Sequence, residues 1–241
     1  MVGIPDGRAR FVNHLWVGAA LMVGLSALSY LAMRLTAGLP VGWVLDEVHQ
    51  NLSVAIDLAL PTWYASMLWA LLGLFAWLHG AADHPRRWSW RLMALIAWYA
   101  SVDEYLMLHE RLNGPAARIE RMLGIDLGGA TWVLLGGAVA ILVATLLWRL
   151  VSSWPVKARR LVLAGGAVFL GGALGFELVH NLIERDMGMG APVAVFAYHV
   201  EEALEKAGVI LAIAGLLEIL PVTPAPTWGR RAPSPESEAV R

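Results

Sequence analysis

Six stretches of this chain are apolar for long enough to cross a bilayer: residues 15–33, 58–78, 88–108, 131–150, 161–183 and 193–220, with bounds good to a few residues. A helix needs roughly 20 residues to span the hydrocarbon layer, and each run comes close to that length. The pattern predicts an all-α fold, a polytopic transmembrane helix bundle of six spans within residues 1–220. The first run follows Arg8 and Arg10, and no small-x-small cleavage site precedes Arg34. It therefore reads as a retained span and not as a signal peptide. Between the first two runs, Gly38, Pro40 and Gly42 break the pattern, and then Val44, Val48 and Leu52 recur at helical spacing. That spacing predicts a short helix lying in the interface. Residues 111–129 hold a second small amphipathic piece, and residues 221–241, rich in Pro, Ser and Glu, predict a disordered cytoplasmic tail.

Composition agrees with the pattern. Of the 241 residues, 58% are hydrophobic and 15% charged, against about 25% charged in soluble domains. With no cysteine, disulfides and thiolate metal sites are excluded, so a metal would have to be held by His, Asp, Glu or Asn. The net charge of −1 gives no bias toward nucleic acid, and the lipid bilayer is the partner the composition implies. Six alternating spans put both termini on one face. Arg8, Arg10, Arg86, Arg87, Arg91, Arg149, Lys157, Arg159 and Arg160 lie on that face, so the positive-inside rule predicts cytoplasmic termini in a multi-pass protein of the inner (plasma) membrane. Trp63 and Tyr64 fit an interfacial aromatic pair. Gly171-x-x-x-Gly175 in the fifth span has the form of a helix-packing face.

The acids are distributed differently. Asp57 opens the second span; Asp103, Glu104, His109 and Glu110 close the third. Glu177, His180, Asn181 and Glu184 lie toward the outer end of the fifth, and His199, Glu201, Glu202 and Glu205 begin the sixth. Ionisable side chains cost several kcal/mol in hydrocarbon and persist where something satisfies or uses them. Four spans thus bring such groups to one level in the outer half of the bilayer; Glu218 is the exception on the inner side. Read as continuous helix, the third span places Asp103, Met107 and Glu110 on one face. In the fifth, i, i+3, i+4, i+7 spacing aligns Glu177, His180, Asn181 and Glu184.

Glu-x-x-His on one helix with carboxylates on others is the pattern by which four-helix bundles ligate metals, and three histidines on three spans suit a single zinc. The candidate roles are Asp103 and Glu104 in catalysis, and His109, Glu110, Glu177, His180, His199 and Glu202 as ligands of a divalent metal, zinc or iron. Asp57, Asn181, Glu184 and Glu205 complete the polar site. The expected function is a metal-binding membrane protein, with a metal-dependent enzyme acting on a lipid or small apolar substrate as its sharper form. A proton- or cation-coupled transporter or channel is the alternative, and a structural or assembly protein is the third reading. The structural reading has Lys206 neutralising Glu202 one turn away, and Asp103 bonding to Trp98 or Tyr99. His14, His49, His79 and His84 read as surface or interfacial groups.

The segment Ser101-x-Asp103-Glu104-x4-His109-Glu110 resembles one found in a group of uncharacterised bacterial multi-pass membrane proteins. Pro61-Thr62-Trp63-Tyr64, Gly175-x-Glu177, and Glu201-Glu202-x-x-Glu205 with Gly208 are similar to that group as well, so the likeness covers most of residues 57–220. Where members carry a richer acidic run before Pro-Thr-Trp, this chain has Asp57. The resemblance implies a membrane topology and gives weight to these positions without supplying a reaction. Zinc hydrolases of the ceramidase type offer a looser analogy, since this chain lacks their His-x-x-x-His.

Overall fold

A computed structural model describes residues 7–56, 58–188 and 190–219, and every regular element among them is helical. The chain runs through α1 (Gly7–Leu35), α2 (Gly42–Leu52), α3 (Leu60–Ala82), α4 (Arg87–Leu106), α5 (Asn113–Leu123), α6 (Trp132–Ser152) and α7 (Val156–Leu170). A π-helical turn, Gly171–Phe176, then carries α7 into α8 (Glu177–Met187), and α9 (Pro192–Ile219) closes the described chain. Four helical stretches are long and apolar enough to cross a membrane: α1, α3, Val133–Ser152 of α6, and Val156–Met187, which joins α7 to α8. The two predicted short helices appear as α2 and α5. Asp57 and the tail beyond residue 219 lie outside the described residues.

The bundle is turned inside out relative to a soluble one. Large apolar side chains such as Leu21, Leu28, Val139, Ile141 and Leu142 face outward on α1 and α6. Apolar exposure on this scale suits contact with lipid and would be a liability in water. The core is apolar as well. Leu68, Leu72 and Ala76 of α3 meet Ala94 and Ala97 of α4, and Ile210, Ile213 and Leu216 of α9 fill the centre. The helix α9 is the hub, packing against α1, α3, α7 and α8.

Close packing of α7 on α9 depends on glycine, at positions other than Gly171 and Gly175. A Cβ built on either of those meets nothing within 4 Å. On Gly165 it would lie 2.5 Å from the Gly208 carbonyl oxygen, and on Gly172 it would lie 2.9 Å from that of Glu201. The contact row is therefore Gly165 and Gly172 against Gly208 and Gly215, and the Gly171-x-x-x-Gly175 pair faces away. Segments with no β-carbon let backbones touch, which is how helices associate where water gives no hydrophobic drive.

Polar pairs sort to the two ends of the bundle. At one end Arg86 binds Asp83 at 2.9 Å, Trp90 Nε1 donates to Asp83, and Lys157 meets Glu218 at 2.7 Å. Glu218, the lone acid predicted on the basic side, thus has its own cation. His79, expected to be a surface or interfacial group, is buried in α3, stacked on Trp90 at 4.7 Å with Nε2 3.0 Å from the Leu216 carbonyl oxygen. Its ring is half of a polar tie between α3 and α9, which accounts for its burial. Asp103, His109, Glu177, His180, His199, Glu201 and Glu202 lie toward the other end.

Candidate functional site

The third predicted span does not continue as helix through its motif. The helix α4 stops at Leu106, where Met107 takes a left-handed conformation with φ 51°. Asp103 explains the stop. Its Oδ1 accepts the His109 backbone N–H at 2.8 Å, and its Oδ2 lies 2.9 Å from His109 Nδ1. A short acidic side chain that bonds the backbone beyond it offers an alternative to the next helical turn. Asp103, Met107 and Glu110 consequently do not share a helical face, and Asp103 bonds His109 in place of Trp98 or Tyr99. Burial works against the His109 imidazolium, but the Asp103 carboxylate outweighs it, and the pKa of His109 is raised from its ordinary 6.5. Ser101, at the start of the motif, ties α4 to α3 through reciprocal bonds with Ser66.

His109 packs on the indole of Trp132 with ring centroids 4.5 Å apart. Trp132 begins α6, and its Nε1 donates to Glu177 Oε1 at 3.2 Å. Asn181 Nδ2 donates to the same oxygen at 3.1 Å and to the Glu177 carbonyl at 2.9 Å. Glu177 is the first residue after the π turn. A π turn changes the angular phase of the helix beyond it, and such turns recur at functional sites.

Across from α8, Glu201 of α9 is 6% exposed, and its Oε2 lies 2.7 Å from His180 Nδ1. One donor atom from each of Glu177, His180 and Glu201 lies within 4.8 Å of the other two. Glu184 stands 3.7 Å from the remaining His180 nitrogen, Nε2. One imidazole and two or three carboxylates from adjacent helices make a ligand set suited to a divalent ion.

Glu202, adjacent to Glu201 in sequence, faces elsewhere. It forms a close ion pair with Lys206, whose ammonium is fully buried in the bundle. Glu104 of α4 lies in electrostatic reach of this pair, and so does Glu205. His199 is also apart from the His180 group. Its Nε2 is 3.0 Å from Ser26 Oγ on α1, and its Nδ1 is 2.7 Å from the Val195 carbonyl oxygen. His49, expected to be a surface or interfacial group, is buried beside it in α2, with Nδ1 2.9 Å from Ser29 Oγ. It is the seat by which the short interfacial helix docks on α1. Glu110 sits in the exposed turn after His109.

Of the predicted ligands, Glu177 and His180 therefore converge, with Asn181 and Glu184 around them; His109 reaches them through Trp132. Glu202, Glu205 and Glu104 form a second group around Lys206, and His199 belongs to a third around Ser26. Glu201 and Trp132 complete the first group, although the sequence pattern singled out neither as a site residue. The spacing held a signal for Glu201: it lies seven residues before Gly208 and fourteen before Gly215, on the α9 face that meets α7 and α8.

No curated protein and no solved structure matches this chain. A family described as a domain of unknown function (DUF8692) matches residues 12–220, which take in every residue of the three polar groups, and the chain belongs to that family.

Proposed function

We propose that this protein is a six-span integral membrane protein that binds a divalent metal ion, zinc or iron, through Glu177, His180 and Glu201. In this reading α4 and α9 cross the bilayer beside the four apolar stretches, and both termini are cytoplasmic. The basic end of the bundle, with Arg86, Arg159 and Lys157, supports that orientation by the positive-inside rule. The resemblance to bacterial multi-pass proteins favours the plasma membrane, and the site then lies in the outer half of the bilayer. The observation that carries the reading is the approach of three donors from two helices to within 4.8 Å. Carboxylates this close repel unless a proton or a cation lies between them. With a metal bound and coordination positions left open, the site suits metal-assisted chemistry on a lipid or small apolar substrate.

Elemental analysis of detergent-purified protein tests the reading. One equivalent of zinc or iron is expected in the wild type, and less than a tenth of that in His180→Ala and Glu201→Ala. A metal-free wild type, or unchanged content in both variants, overturns it.

A second reading, a proton- or cation-coupled transporter, is favoured by Glu104, Glu202 and Glu205 around the buried Lys206. It requires ion-dependent flux in liposomes that Glu104→Gln abolishes. At the opposite end of the bundle, where Lys157–Glu218 and Arg86–Asp83 are paired among apolar helices, the described residues offer no matching polar path.

A further inference from the structure

The motif that closes α4 contributes no ligand to the Glu177–His180–Glu201 group, yet it is joined to that group by an unbroken series of contacts. We propose that Asp103, His109 and Trp132 form an arm that positions Glu177 as a metal ligand, an inference that rests on the metal-binding reading above.

The geometry gives each member a task. Asp103 holds His109 twice, by backbone N–H and by ring. That fixes the imidazole against Trp132. Trp132 is also set from its own backbone, whose N–H donates to Asn113 Oδ1 at 2.8 Å. One turn on, Gly136 leaves room for the indole; a Cβ there would lie 2.6 Å from Trp132 Cζ3. The indole has one polar atom, a donor, and it is spent on Glu177 Oε1.

Asn181 donates to the same oxygen, but it rides on the same helix as Glu177. It sets the local rotamer and moves with the helix. Trp132 comes from α6 and fixes the carboxylate relative to the rest of the bundle. With both donors on Oε1, the plane of the Glu177 carboxylate is fixed from two directions. Outer partners of this kind orient ligands, and their loss typically costs about tenfold to hundredfold in metal affinity.

The test is cobalt(II) titration of the full chain in detergent, followed by visible absorption, with thermal unfolding of the metal-free protein measured in parallel. Trp132→Phe keeps the ring and removes the donor. It is expected to weaken cobalt binding roughly tenfold to hundredfold and to change the ligand-field band, because Glu177 turns. Gly136→Ala touches no ligand but crowds the indole, and it is expected to shift the same band in the same direction. This second variant keeps the test open should Trp132→Phe fail to fold. A merely structural tryptophan would lower the unfolding temperature and leave band and affinity as in the wild type; that result overturns the arm while the metal reading stands. A wild type that binds no cobalt, zinc or iron removes the metal reading, and the arm falls with it.

Discussion

Glu201 and Glu202 are neighbours in the chain and point about 100° apart around α9, and the two sides solve the same electrostatic problem differently. On the α4 side Glu202 has Lys206 one turn away, and the fully buried ammonium also faces Glu104 and Glu205. That group carries its own cation. On the α8 side Glu201 and Glu177 have a single imidazole between them, and Glu184 adds a further acid. No lysine or arginine pairs with Glu177, Glu201 or His180 among the ion pairs of the described residues. Charges taken out of water must be paired or must coordinate something. Three acids surround each group, but one is partnered by a fixed ammonium and the other by an imidazole.

The sharpest way to break that contrast is Lys206→Met. It strands Glu202 in the bundle, and removing one partner of a buried pair costs about 3–5 kcal/mol. The variant is expected to lose most of its folded fraction by size-exclusion in detergent, with recovery in the double variant Lys206→Met/Glu202→Gln. His180→Ala, on the other side, removes an imidazole instead of a fixed ammonium charge and should lower the folded fraction less. If the two single variants behave alike, the sides do not differ as described.

A smaller effect is expected where α9 meets α7. The Gly208 Cβ position lies 2.6 Å from the Gly165 carbonyl oxygen and from Phe169. Gly208→Ala must part the helices, at a cost of about 1–3 kcal/mol by the usual scale of overpacking, read as a lower unfolding temperature. Because Glu201 rides on the same face, zinc or iron content should fall as well, whereas the Lys206 side should be spared.

The smallest effect is a pH dependence at the end of the arm. The pKa of His109 is raised in the fold, so its ion pair with Asp103 contributes fully below pH 6.5 and fades as pH rises through the raised value. The His109 side chain is 32% exposed, so solvent screening holds the gain to about 1 kcal/mol or less. Thermal unfolding of wild type and Asp103→Asn should differ most at pH 6 and converge at alkaline pH. A gap that widens with pH would show that the ion pair is not the source.

Much of the architecture was readable because hydrocarbon permits so few solutions. Six apolar runs became helices, and the helical spacing of Val44, Val48 and Leu52 became α2. What escaped was angular phase. A helix that is apolar nearly all round has no stripe to orient it, so Glu201 and Glu202 could not be assigned to their sides from periodicity. The π turn shifts phase by an amount that sequence spacing does not record. Asp103 ended α4 by side-chain competition, where periodicity alone extended it. The burial of His49 and His79 escaped periodicity because it depends on partners distant in sequence, Ser29 for one and Leu216 for the other.

The stretch Gly171–Phe176 has a consequence for how such a centre arises. Over the same rise, a π turn holds one residue more than ordinary helix would. Excising that residue would swing everything downstream by about 100° and carry Glu177 and His180 away from Glu201. A plain apolar rod and one that presents the Glu177–His180 edge to α9 therefore differ by a single inserted residue, placed where glycines make the irregular winding cheap.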